Sequence, residues 1–188
     1  MDADEGLASG KCRRGERGGI SVIRKIAIGV MGPGAGATLA DLQNAFQIGQ
    51  IIAREGWVLL TGGRNAGVMD AASQGAKQAN GLTVGILPTD GTGTIYEGIS
   101  EAVDIAIFTG MGSARNNINV LSSDVLIACG MGAGTASEIA LALKANKKVI
   151  LLNDDAGSQV FFKSLSPQNV FVAGTPEEAI GRVREVLG

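Results

Sequence analysis

The chain has 188 residues, 45% of them hydrophobic, which gives one domain with a real core and excludes a mainly disordered polypeptide. Its net charge of −2, with aromatics at only 4%, argues against a nucleic-acid face, which needs a basic patch or stacking rings. There is no histidine, so Ser-His and Cys-His nucleophile pairs, histidine bases and histidine metal ligands are all excluded.

Residues 1–23 begin acidic, turn basic from Lys11 to Arg17 and are rich in glycine, a composition expected of a disordered tail. The segment lacks the apolar centre of a signal peptide. The ordered domain is expected over 24–188. Residues 25–31 form an apolar run that ends in Gly32-Pro33-Gly34-Ala35-Gly36, and an amphipathic helix is expected over 39–55. A second run, 57–61, ends in Gly62-Gly63-Arg64-Asn65-Ala66-Gly67 and leads into a small-residue helix reaching Ala79. The run 83–87 stops at Pro88, a looser stretch covers 89–98, and an apolar run follows over 102–108. A helix is expected over 114–122 and a strand over 125–128.

Cys129-Gly130-Met131-Gly132-Ala133-Gly134-Thr135-Ala136-Ser137-Glu138 then joins that strand to a helix-like run ending at Ala145. Strands at 148–152 and 170–172 and a closing helix at 176–187 complete the pattern. Continuous apolar strands alternating with helices predict a doubly wound, Rossmann-like α/β domain, its mostly parallel sheet flanked by helices on both faces. Ligands bind such sheets beyond the strands' C-terminal ends, where all three glycine loops fall.

A glycine turn running into a helix start presents backbone N–H groups and a partial positive charge, the chemistry of holding a phosphate. None of the loops fits a Walker A or a Gly-x-Gly-x-x-Gly pattern, because the sixth position of 130–135 is Thr135. Thr135 and Glu138 admit two readings: helix capping, or contact with a ligand's phosphate and its hydroxyl or amine. Arg64 and Arg115 follow glycine-containing turns on the ligand edge, where an arginine fork suits phosphate or carboxylate oxygens. Cys129, Met69 and Met111 read as packing residues, a thiolate ligand for molybdenum being the lesser reading of Cys129. No metal site is expected. Two widely separated cysteines and no long apolar run point to a reducing, cytoplasmic location without membrane insertion.

Gly62-Gly63-Arg64-x-x-Gly67-Val68-Met69, Arg115 and Gly132-x-Gly134-Thr135-x-x-Glu138 resemble the motifs of the LOG or lysine decarboxylase-like (SLOG) Rossmannoid superfamily, over about 25–187. The chain departs from that pattern at Gly130-Met131, where the superfamily has Pro-Gly, and at Arg64, Asn116 and Ser137. These departures, together with 28–34, 59–64 and Gly112-Ser113-Ala114-Arg115-x-Asn117-Ile118-Asn119, are similar to the molybdenum cofactor carrier protein family.

That likeness implies a non-catalytic carrier that binds, protects and delivers the pterin-based molybdenum cofactor. The implied binding residues are Gly32, Pro33, Gly34, Gly62, Gly63, Arg64, Ser113, Arg115, Asn119, Gly132, Ala133, Gly134, Thr135 and Glu138. It also implies a homo-oligomer, dimer or tetramer, and molybdoenzymes as recipients. The broader superfamily implies an alternative, a phosphoribohydrolase cleaving AMP or cytokinin nucleoside monophosphates with Arg115 and Glu138, or a module that senses such a nucleotide.

Overall fold

The structure is a computed structural model that describes residues 12–17, 20–89, 91, 98–152 and 155–188. Seven parallel strands form one sheet: β3 (Ala27–Met31), β4 (Val58–Thr61), β5 (Leu82–Leu87), β6 (Ile105–Phe108), β7 (Val125–Cys129), β8 (Lys148–Leu152) and β9 (Val170–Val172). Among the described residues six helices connect or flank them: α1 (Leu39–Arg54), α2 (Gly67–Gln78), α3 (Asn116–Ser122), α4 (Ala133–Lys144), α5 (Ala156–Leu165) and α6 (Pro176–Leu187). The spatial order is β6-β5-β4-β3-β7-β8-β9. Chain progression therefore reverses between β3 and β7, which makes that junction the switch point of a Rossmann-like fold.

The apolar strands divide their side chains between two cores. Ile28 and Val30 of β3, Val125 and Ile127 of β7 and Ile150 of β8 pack under α1, α2 and α6. Leu126 and Ala128 of β7 and Val149 and Leu151 of β8 pack on the opposite face with residues of α3, α4 and α5. Burial on both faces explains why these strands read as unbroken apolar runs without alternation.

Three sequence expectations need revision. The composition of 1–23 predicts no regular structure, yet the backbones of β1 (Cys12–Arg17) and β2 (Ile20–Lys25) pair antiparallel, with Cys12 opposite Lys25. The boundary expected at residue 24 falls inside β2, where Ile20, Val22 and Ile23 bring the β-branched shape that favours strands. Residues 1–11 and 18–19, and most of the looser stretch 89–98, lie outside the described residues. The run 102–108 contributes only its second half to β6, because Ala102 and Val103 lie in the preceding turn. Finally, α5 has no counterpart among the expected elements: its apolar residues face both ways, with Phe162 buried and Val160, Phe161 and Leu165 exposed. No helix among the described residues is long and apolar enough to cross a membrane.

Candidate functional site

The helix N-termini differ in how their free N–H groups are satisfied. Thr38 and Asp41 form a reciprocal capping box on α1, Asp155 caps α5, and Thr175 with Pro176 starts α6. By contrast α4, which starts beside the switch point, has Gly132 as its cap residue and no side-chain cap. The first amide to bond back is that of Ala136, donating to the Gly132 carbonyl at 2.8 Å. The N–H groups of Ala133, Gly134 and Thr135 are thereby left for a ligand.

These groups open on a cavity of about 300 Å³ at the C-terminal ends of β3, β4 and β7. It is lined by Gly32, Pro33 and Gly34 from the loop after β3, by Gly62 and Arg64 from the loop after β4, and by Gly132, Ala133, Gly134, Thr135 and Glu138 from α4 and its approach. Arg115 enters from a short 3-10 turn, Gly112–Arg115, that runs straight into α3. The loops interlock through glycines. A Cβ on Gly67 would lie 2.2 Å from the carbonyl oxygens of both Pro33 and Gly34, and the Val68 amide donates to Pro33 O at 3.0 Å. Gly67 also holds φ at +54°, which a side chain would strain.

Three polar side chains of the cavity, Arg115, Thr135 and Glu138, are buried, and two of them carry atoms without a hydrogen-bond partner. Thr135 is 2% exposed and its Oγ1 has no partner, and the buried Nε of Arg115 has none either. Thr135 thus does not cap α4; its hydroxyl is the kind of orphan group that a ligand oxygen would satisfy. Glu138 is 6% exposed, and its Oε1 accepts a hydrogen bond from Asn119 Nδ2 at 3.1 Å. Burial pushes the Glu138 carboxyl up from the usual carboxylate range, while the Asn119 hydrogen bond and the charge of Arg115 pull it back. Burial likewise lowers the Arg115 guanidinium; Glu138 opposes that shift and neighbouring Arg64 adds to it.

Of the residues expected from sequence, Gly63, Ser113 and Asn119 do not line the cavity. Gly63 is a packing residue: its N–H donates to Thr61 Oγ1 at 3.0 Å, and a Cβ there would lie 2.9 Å from Gly85 Cα in β5. Ser113 is exposed on the turn that carries Arg115. Asn119 is fully buried behind Glu138 and reaches the cavity only through it.

The cavity also uses Met31, Ala35, Met69 and Asn116, which the sequence did not mark as binding residues. Asn116 follows Arg115 directly and its Nδ2 donates to Ser137 Oγ at 3.2 Å, so adjacency to the arginine was the available signal. Met69 was legible only as packing; Met111, read the same way, is 50% exposed. Cys129 packs away from the cavity, its thiol donating to the Asp41 carbonyl at 3.3 Å. Burial and the nearby Asp41 carboxylate push that thiol up to about 12, which suits a packed thiol and not a metal ligand.

A model of the SLOG cluster4 family matches residues 25–180. The chain belongs to this family. The molybdenum cofactor binding protein of the phototrophic bacterium Rippkaea orientalis is 62% identical, with a TM-score of 0.84 over 88% of this SLOG cluster4 chain and 99% of that one. The Moco carrier protein of Chlamydomonas reinhardtii is 53% identical, with a TM-score of 0.81 over 87% and 98%. A cytokinin riboside 5'-monophosphate phosphoribohydrolase of Mycobacterium tuberculosis is 31% identical over 99 residues, which is 52% of this chain and 51% of that enzyme.

Proposed function

We propose that this SLOG cluster4 protein binds the molybdenum cofactor and carries it without transforming it. The observation that supports this most is the cradle itself: the free N–H groups of α4, the orphan Thr135 hydroxyl and Arg115 meet in one cavity, in a chain whose fold and sequence follow two solved molybdenum-cofactor proteins. In this reading the cofactor's phosphate sits on the amides of 133–135, Arg64 and Arg115 balance its charge, and the loop at 32–36 admits the pterin close to the backbone. Many dispersed hydrogen bonds give a reversible grip that suits delivery, and the buried Cys129 thiol takes no part. The protein works in the cytosol as a homo-oligomer and passes its cargo to molybdoenzymes. The exposed Ile105, Ile107, Leu121, Phe161 and Leu165 support self-association.

Anaerobic titration with the cofactor tests the proposal. Saturable binding, with a fluorescent pterin recovered after oxidation of the bound fraction, is the expected result. Absence of saturable binding defeats it.

A second reading rests on a different observation, a buried acid beside an arginine in the same cavity. Glu138 and Arg115 occupy the positions that, in the phosphoribohydrolase reading, act on an N-glycosidic bond of AMP or a related nucleotide. Ser137, Asn116 and Met131 break the surrounding hydrolase pattern, which favours the carrier. Release of ribose 5-phosphate from AMP, lost in Glu138→Ala, would reverse that preference.

A further inference from the structure

Glu138 lies one turn beyond Thr135 on α4, and helical side chains lean toward the N-terminus over the residues three and four positions earlier. For Glu138 those residues are Thr135 and Gly134, so its carboxyl group returns to the face that carries the free amides. It lines the same cavity and is nearly closed off from solvent. One oxygen is held by Asn119, and no ion pair between Glu138 and Arg115 forms among the described residues. An anion on the amides of 133–135 would then share one helix dipole and two arginines with a second negative charge. Two like charges in a shielded cavity are relieved when one of them takes a proton.

The groups that share the cavity with this carboxyl, and Asn119 behind it, narrow the choice. The 3-10 turn contributes Arg115, the loop after β4 contributes Arg64, α3 contributes Asn116 and Asn119, β3 ends on Met31, and α4 adds Thr135. Arginine is a permanent cation in proteins, and asparagine, methionine and threonine side chains do not ionise. The chain contains no histidine, and the Cys129 thiol is pushed up to about 12. Among the described residues Glu138 is therefore the one carboxyl group lining the cavity, and its burial favours the neutral form.

We propose that an anion entering the cavity is accompanied by one proton, drawn from solvent onto Glu138, so that the site grips its ligand in mildly acidic solution and loosens as pH rises. The neutral carboxylic acid becomes a hydrogen-bond donor to the ligand instead of a repelling charge. Burial of the carboxyl group, which already favours its neutral form, works in the same direction. The inference rests on the reading of the cavity as an anion site and adds a proton-linked release to it.

Sulfate is the suitable probe, because it stays a dianion across this range and cannot itself supply the pH dependence. Wild-type affinity for sulfate is expected to fall by about tenfold per pH unit over part of the interval from about pH 5 to about pH 8. In Glu138→Gln the profile should be flat, with binding at about pH 8 at least about tenfold tighter than wild type. Calorimetry of the wild-type protein in two buffers of different ionisation enthalpy gives the same answer without a variant: uptake approaching one proton per sulfate is expected. A flat wild-type profile, zero proton uptake, or the same slope in Glu138→Gln overturns the proposal while leaving the anion site intact. If neither sulfate nor inorganic phosphate binds at any pH, the anion site fails and the proposal with it.

Discussion

The guanidinium of Arg115 occupies the space where a side chain on Gly62 would stand: a Cβ there would lie 2.2 Å from Nη1 and 2.6 Å from Nη2. Two segments far apart in sequence, the loop after β4 and the turn before α3, are thus fitted to each other around one cation. Met69 Sδ, 2.6 Å from the same point, completes the contact.

Gly62→Ala separates site geometry from stability. The atoms it meets are the ends of flexible side chains, so the fold accommodates the methyl with a change within about 1 kcal/mol. Arg115 must swing away, and affinity for a phosphate-bearing ligand should drop about tenfold, the value of one charge-assisted hydrogen bond. Thermal unfolding and ligand titration of the same sample check both halves.

Thr135→Val should move stability and affinity in opposite directions. The hydroxyl is buried with no hydrogen-bond partner in the protein, so a methyl of the same shape stabilises the fold by about 1 kcal/mol. The variant loses the hydroxyl donor proposed to meet the ligand and should bind about tenfold more weakly. A variant that is both less stable and unchanged in binding would show that Thr135 has only a packing role.

Glu138 should make stability depend on pH with a definite sign. Its carboxyl is raised in the folded protein, so the unfolded chain ionises first, near the free value of ~4.3. Stability therefore falls as pH climbs from there through the folded value, and the cost is absent at lower pH. Glu138→Gln should raise the melting temperature at about pH 8 and leave it nearly unchanged at about pH 4. Asn119→Ala removes the hydrogen bond that pulls the carboxyl back down, destabilises by about 1–3 kcal/mol, and should do so more at the higher pH.

Cys129 should be inert in the folded protein. With its thiol pushed up to about 12 it carries almost no thiolate at neutral pH. In a Cys12→Ser background a disulfide-exchange reagent should react with it only at the rate of unfolding. Above ~8.5 the unfolded chain ionises first, so this thiol also lowers stability as pH rises further.

The centre of the sheet was legible because β3, β4, β7 and β8 are buried on both faces, which leaves continuous apolar runs such as Val125–Cys129 between glycine loops. The helix at Ala156–Leu165 was not legible, since Val160, Phe161 and Leu165 stand in solvent and spoil its period. Loop residues were found by their chemistry: Arg64, Arg115 and Thr135 are types that hold anions, and all three face the cavity. Met31, Met69 and Asn116 have no such mark, and proximity in space is what brings them there.

Local chemistry in the sequence therefore determined the layered α/β class, the three glycine loops and the absence of histidine chemistry. These follow from side-chain polarity and backbone freedom, which act at short range along the chain. Tertiary structure decided which neighbour each glycine makes room for: Gly63 for β5, and Gly62 for Arg115. It also turned Asn119 from an expected contact into a support for Glu138, and left the Thr135 hydroxyl unpaired inside the cavity. Burial and hydrogen-bond satisfaction depend on atoms brought together from distant segments, and spacing along one chain does not contain them.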